Sequence, residues 1–217
     1  VEDLSDLLMT GWRGTDFAKM AAHTLPLMDA YAQRHGLECH CVNLASRQAA
    51  PSWMKVPNIG AALNDYDRVL WIDADVVIVD SSENIFDWLE ADAWQAVVEH
   101  ETECGLVPNC GVWLVTREMI PWLEFAWEKM REAFADHPWW EQAAVMTMMG
   151  YDITLTDGWP HATLKAATEL RDRTQFLPPR WNDHPADRHR PGKPAFVHVT
   201  QYADRLGEIR RLCAAAT

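Results

Sequence analysis

The apolar run Arg68-Val69-Leu70-Trp71-Ile72 continues into Asp73-Ala74-Asp75-Val76-Val77-Ile78-Val79, so two carboxylates interrupt a stretch that otherwise reads as a fully buried strand. An unpaired buried carboxylate costs several kcal/mol, which leaves two ways to fold this run. Either the aspartates stand at a strand end, or they share a cation. A metal ion is the economical reading, because residues i and i+2 of a strand lie on one face and can point at the same ion.

The neighbouring segments say what kind of sheet this strand joins. Leu7-Leu8-Met9-Thr10 reads as a short strand ending in a flexible loop, Gly11-Trp12-Arg13-Gly14. Thr15 or Asp16 caps a helix whose apolar residues Phe17, Met20, Ala21, Met28, Tyr31 and Ala32 recur at helical spacing, with a kink expected at Pro26 and an end at Gly36. A strand from Glu38 to Leu44, a loop through Pro51, a helical stretch from Pro57 to Leu63 and the aspartate strand follow. Helix then strand, repeated, implies an α/β fold with a parallel sheet covered by helices on both faces. Ligands of such sheets bind at the carboxyl ends of strands, which is where Asp73 and Asp75 fall. Further on, Ala96–Glu99, Gly111–Val115, Asp152–Leu155 and Ala195–Val199 read as strands, and Ile120–Phe134 and Trp140–Met149 as helices. The Pro-rich stretch from Leu177 to Pro194 reads as a long surface connection.

At 217 residues the chain fits one domain, 1–217, with no internal repeat. A charged fraction of 24% and a hydrophobic fraction of 48% suit a globular protein. No apolar run approaches a membrane span and Val1-Glu2-Asp3-Leu4 lacks a basic start, so no transmembrane segment and a cytoplasmic location are expected. The net charge of −13 argues against nucleic-acid backbone or anionic lipid as a broad-surface partner. Of the five cysteines, Cys39 and Cys41 share a strand face and read as core packing ahead of a zinc pair, and Cys104, Cys110 and Cys213 as reduced thiols.

Several segments together carry a family pattern: Tyr31-Ala32-Gln33-Arg34-His35-Gly36, Pro51-Ser52-Trp53-Met54-Lys55-Val56, Trp71-Ile72-Asp73-Ala74-Asp75, Asn109-Cys110-Gly111-Val112-Trp113, Trp140-Glu141-Gln142-Ala143-Ala144, Pro179-Arg180-Trp181-Asn182 and Phe196-Val197-His198. In order and spacing the chain resembles the GT-A glycosyltransferases, most closely the retaining galactosyl/mannosyltransferases of the GT34-like group and more distantly the glycogenin-like GT8 group. The resemblance implies a single GT-A, Rossmann-like domain with a mixed, mainly parallel sheet. Residues 1–100 would form its nucleotide-binding half, ending in the Asp-x-Asp motif, and 101–217 its acceptor and sugar half. It further implies transfer of a hexose or pentose from a UDP- or GDP-sugar donor to a hydroxyl acceptor, with retention of configuration.

The residue roles that the resemblance implies agree with what the side chains can do. Asp73, Asp75 and His198 would hold Mn²⁺ or Mg²⁺, since such ions accept carboxylate and imidazole; the glycine that usually follows the histidine is replaced here by Val199. Glu141 and Gln142 would face the anomeric carbon and stabilise its developing positive charge, although a Glu at a helix start also suits the helix dipole. Thr10, Gly11 and Trp12 would contact base and ribose, Lys55 would steer the diphosphate, and Asp73, Asn109, Gly111 and Trp181 would complete the donor site. For Asn109 a turn-forming role reads equally well, and a hydrogen-bonded core histidine is the alternative for His198. Arg205 and Lys193 are candidates to close over the diphosphate, and Trp12, Trp139, Trp140 and Trp181 are the members of a twelve-tryptophan set placed near donor or acceptor.

Two rival readings remain open. Asp73-x-Asp75-x-Val77 after an apolar strand also fits the signature of a haloacid-dehalogenase-like phosphatase, with the first Asp as nucleophile, although no downstream acidic pair appears. The third reading is a catalytically silent sugar-binding protein.

Overall fold

The computed structural model describes residues 5–44 and 49–216; the Val1–Leu4 reading lies outside them. The amino half alternates strand and helix as β1 (Asp6–Trp12), α1 (Thr15–His35), β2 (Glu38–Asn43), α2 (Pro51–Ala62), β3 (Arg68–Ile72) and β4 (Val76–Ile78). Then come β5 (Gln95–Thr102), β6 (Gly105–Thr116), α3 (Ile120–Phe125), α4 (Trp140–Met148), the hairpin β7 (Tyr151–Thr156) and β8 (Trp159–Leu164), α5 (Glu169–Asp172), β9 (Thr174–Phe176), β10 (Phe196–His198) and α6 (Arg205–Ala216). The central sheet has six strands in the order β2-β1-β3-β6-β5-β9. Only β6 runs against its neighbours, so the sheet is mixed and mainly parallel.

The continuous apolar runs explain why the sheet is covered on both faces. Successive residues of a strand point to opposite sides, and here Leu7, Val69, Trp71, Val97, Trp113 and Val115 enter one core while Leu8, Leu70, Ile72, Ala96, Val112 and Leu114 enter another. The first core is closed by α2, α3 and α4, and the second by α1, Ile85, Phe86, Trp181 and Phe196. Three layers result. α1 runs unbroken through Pro26, burying Met20, Ala21, Thr24, Met28, Tyr31 and Ala32 as one stripe.

Several local expectations are corrected. Gly11 and Trp12 are not loop but the last residues of β1, which pairs with β2 as far as Trp12 and Asn43. α2 begins at Pro51, six residues before the expected start, because a proline is tolerated in the first helical turn. The expected helix to Phe134 changes to a π-helical turn at Ala126–Met130. The stretch after Leu177 is not a surface connection: Trp181, Asn182, Asp183, His184 and Asp187 are all buried. Cys39 is half-buried, but Cys41 is exposed on edge strand β2. Among the described residues no helix is long and apolar enough to cross a membrane.

Candidate active site in the central cleft

β3 ends at Ile72, and the chain turns through Asp73-Ala74-Asp75, closed by a hydrogen bond from the Val76 N–H to the Asp73 carbonyl at 3.0 Å. The two aspartates therefore do not share a strand face as expected; a turn brings them together. β4 then pairs antiparallel with β10, placing His198 opposite Val76, and the Val199 N–H donates to the Asp75 carbonyl at 2.9 Å. This small ladder carries a histidine from the far end of the chain to the motif. α6 follows directly and contributes Arg205.

The four side chains that converge here are held by charge. Asp75 is buried, its Oδ2 is in contact with Arg205 Nη2, and its Oδ1 lies 3.6 Å from His198 Nε2. Burial alone would raise the Asp75 carboxyl; His198 and Arg205 outweigh it and hold it at about 2. Lys55 is buried between Asp73, 3.1 Å away, and Glu141, 2.8 Å away, and also donates to the Cys110 carbonyl at 3.1 Å. Burial opposes its charge, but Asp73 and Glu141 outweigh burial and lift the ammonium pKa above the ordinary lysine range. The Glu141 carboxyl, in contrast, is pushed up by burial despite Lys55. Its Oε2 is buried without a partner among the described residues. Gln142 Oε1 accepts from the Cys110 N–H at 3.2 Å, which fixes the start of α4 against β6.

The donor set fits a divalent cation. Asp73, Asp75 and His198 each offer one ligand atom, and these atoms lie within 4.8 Å of one another. Carboxylate oxygens with one imidazole suit Mn²⁺ or Mg²⁺. His198 Nδ1 is buried with no partner among the described residues. Gly111 makes the approach of that ring feasible, since a Cβ there would stand 2.8 Å from His198 Nδ1 and 2.9 Å from Asn109 Oδ1.

These groups line one cleft of about 1230 Å³, larger than the ~300–1,000 Å³ of ordinary small-molecule pockets. Of the donor-site candidates, Gly11, Trp12, Lys55, Asp73, Asn109 and Gly111 line it, as do Glu141, Gln142, Asp75, His198, Arg205, Trp139 and Trp140. Asn109 is not in a turn but within β6, where the pairing with β5 shifts register; its Oδ1 accepts from the Gly111 N–H and from Asn182 Nδ2, both at 2.9 Å. Thr10 is buried in β1 and does not reach the cleft wall. Trp181 does not reach it either: the ring is fully buried, packed edge-on against Trp88 and Phe196. Lys193 is exposed away from the cleft.

The structure adds residues that the sequence did not flag. His184 and His100 line the cleft behind His198, with ring centroids 5.7 Å apart for His184 and His198 and 5.0 Å for His100 and His184. His100 Nδ1 lies 2.7 Å from Asp187 Oδ2, and His184 Nδ1 accepts from the Ala186 N–H at 3.1 Å. Burial, reinforced by His198 and His100, pushes the His184 imidazole down to about 3, so it is neutral. The run Asp183-His184-Pro185-Ala186-Asp187 held the signal, in its density of titratable residues after an aromatic segment.

No protein-family model matches the chain, and no curated protein matches it in sequence. In structure it is similar to a glycosyltransferase involved in glycosylation of the major capsid of PBCV-1, with 16% identity, a TM-score of 0.70 and coverage of 95% of this chain and 99% of that one. It is also similar to the galactosyltransferase LgtC in complex with donor and acceptor sugar analogues, with 13% identity, a TM-score of 0.58 and coverage of 97% and 95%. For mouse xyloside xylosyltransferase 1 the identity is 13%, the TM-score 0.52 and the coverage 91% and 98%. At these identities the likeness is one of fold: the chain has the single-domain α/β fold of the GT-A glycosyltransferases.

Proposed function

We propose that the protein is a metal-dependent glycosyltransferase that moves a sugar from a UDP- or GDP-sugar to a hydroxyl acceptor with retention of configuration. The observation that carries this reading is the convergence of Asp73, Asp75 and His198 at the carboxyl end of β3, inside a cleft of a glycosyltransferase fold. Residues 1–100 supply the nucleotide side, with Gly11 and Trp12 at the end of β1, and 101–217 the sugar and acceptor side.

In this reading Asp73, Asp75 and His198 hold Mn²⁺ or Mg²⁺, which when bound offsets charge on the departing nucleoside diphosphate. The bond from the anomeric carbon to the diphosphate oxygen breaks, a bond from that carbon to the acceptor oxygen forms, and the acceptor proton leaves on the diphosphate. No separate base is required. Lys55 fixes Asp73 and Glu141 relative to one another, and Arg205, already paired with Asp75, is placed to turn toward a donor phosphate. Glu141 and Gln142 face the anomeric carbon, where oxygen atoms stabilise positive charge as it develops. The phosphatase reading gains no support, because the motif follows the third strand of the fold and not the first, and the similar solved structures are glycosyltransferases.

Calorimetric titration of UDP- and GDP-sugars with and without Mn²⁺ tests the proposal. One nucleotide class should bind only with the metal, and Asp75→Ala should weaken binding at least ~100-fold, since it removes a direct ligand and losing even a supporting group costs 10–100-fold. Absence of nucleotide-sugar binding alongside hydrolysis of a generic phosphate ester would overturn it.

A further inference from the structure

The run Pro179-Arg180-Trp181-Asn182 ends in a residue that the proposed transfer does not touch: Asn182 is fully buried and stands outside the cleft wall. Its segment runs beside β10. Asp183 pairs in parallel with Val197, its N–H donating to the Phe196 carbonyl at 2.8 Å and its carbonyl accepting from the His198 N–H at 2.9 Å. Side chains alternate along such a ladder, so Asn182 and His184 share a face with Phe196 and His198, opposite to that of Val197. The packing agrees, since Phe196 and Val197 enter different cores.

The direction of the Asn182 amide follows from its neighbour. Asn109 Oδ1 accepts from the Gly111 N–H, which can only donate, so the group that Asn182 turns toward Asn109 at 2.9 Å is its Nδ2. The Asn182 Oδ1 is left over, buried with no partner among the described residues. His198 Nδ1 is buried in the same condition, and it meets Asn109 Oδ1 over Gly111, where both atoms border the space that a Cβ would fill. Each orphan is costly alone, and the two are complementary.

The complementarity depends on where the His198 proton sits. Nε2 faces Asp75 Oδ1 and keeps its lone pair if it is to hold a cation with Asp73 and Asp75, so the proton belongs on Nδ1, which then needs an acceptor. Asn109 Oδ1 already takes two hydrogen bonds. His184 Nδ1 takes the Ala186 N–H, so its other nitrogen carries a proton and cannot accept. Asn182 Oδ1 is the free acceptor on this face, and one water between two such polar groups is a common way to join them. We propose that Asn182 is a positioning residue for two site groups at once. Through one bridging water its Oδ1 takes the Nδ1 proton of His198, leaving Nε2 to the cation, while its Nδ2 holds the Asn109 carbonyl so that the Asn109 amide donors are left for the cleft. This rests on the transferase reading and adds to it the residue that orients the metal histidine.

Proton–nitrogen correlation NMR of the imidazoles, with His198 assigned by His198→Gln, reads the tautomer in metal-free protein, and Mn²⁺ titration followed by EPR reads affinity without a nucleotide. Wild type should carry the neutral His198 proton on Nδ1. Asn182→Leu, close in shape, should let the proton move to Nε2 and weaken Mn²⁺ binding about 10–100-fold, the usual loss when the outer partner of a metal ligand is removed. Asn182→Asp should separate the two jobs. It keeps an acceptor for Nδ1–H, so the tautomer should persist and Mn²⁺ affinity should hold within about threefold. Loss of Nδ2 frees Asn109, and nucleotide-sugar binding at saturating Mn²⁺ should weaken about tenfold. Should Asn182→Leu not fold, Asn182→Asp decides: the reverse pattern, tautomer lost and nucleotide-sugar binding kept, would overturn the inference. So would a wild-type proton on Nε2, or a folded Asn182→Leu that keeps both Nδ1–H and its Mn²⁺ affinity. His100 Nε2, the other unmet acceptor behind His198, is the rival, and His100→Gln releasing the tautomer where Asn182→Leu does not would favour it and overturn the inference too. Failure of the transferase reading would show separately, as wild-type protein with Nδ1–H and Mn²⁺ bound that takes no nucleotide sugar.

Discussion

Lys55, Asp75, Glu141 and His198 form a charged wall of the cleft, each at most 6% exposed and tied to partners from other elements; Trp140 at the start of α4 and Trp159 on the β7–β8 hairpin form an outer wall, exposed and with no ring partner among the described residues. The first wall is set among packed elements, on α2, α4, β10 and the turn after β3, where each charge is oriented before a ligand arrives. In the second, Trp159 stands on a two-stranded hairpin outside the six-stranded sheet, fastened near its base, and Trp140 opens α4. Under the proposed transferase reading the chemistry falls where side chains are held in place, while the exposed rings stand where substitution costs the fold little.

The sharpest break in that comparison is Lys55→Met. Removing the ammonium leaves Asp73 and Glu141 facing one another with nothing between them, and breaking a buried pair from one side costs about 3–5 kcal/mol. Urea denaturation should show this loss, and adding Glu141→Gln should return part of it by removing one of the stranded charges. A loss under about 1 kcal/mol would mean that Lys55 is not the hub of this wall.

Acid should act through the histidines behind the same wall. Burial lowers the His184 pKa from its ordinary value to about 3, so the folded protein binds this proton less tightly than the unfolded chain does. The associated stability is fully present above about pH 6.5 and is lost as pH falls toward 3, amounting to about 3 kcal/mol by pH 4. Burial lowers His100 as well, in the same direction. Comparing stability at pH 7 and pH 4 for wild type and His184→Gln isolates the effect. The variant should lose less on acidification, and an unchanged pH difference would show that His184 does not titrate with unfolding.

How far the sequence spoke for each wall follows from where the information lies. The sheet was legible because β1, β3 and β6 are apolar on both faces, and a continuous apolar run admits few other folds. The Asp73 and Asp75 pair was legible because carboxylates there have no structural excuse. Lys55 was legible only as a point charge near the donor: nothing around Pro51-Ser52-Trp53-Met54 says that it will be buried, since that depends on Glu141 arriving from a distant helix. The Leu177–Pro194 stretch misled because prolines and charges read as solvated. Those charges find partners on folding: Asp187 lies in hydrogen-bond contact with His100 of β5, and Asp183 forms a two-point pair with Arg190 at 2.8 and 2.6 Å. Trp159 stayed unnoticed because one tryptophan among twelve carries no mark of exposure until the hairpin turn beside it is seen.

The smallest effect probes the outer wall alone. Gly158 has φ +80°, and a Cβ added there would meet nothing within 4 Å, so Gly158→Ala introduces backbone strain without a clash. The expected cost is about 1 kcal/mol, the usual penalty for a non-glycine residue in the left-handed region. Because the turn lies at the free end of the hairpin, that cost should appear as local opening of β7 and β8, seen as faster amide exchange at Thr156 and Trp159, with the global denaturation midpoint nearly unchanged. Exchange in β3 and in the first turn of α4 should not respond. If it does, the hairpin and the charged wall form one cooperative unit, and the division of labour drawn between them fails.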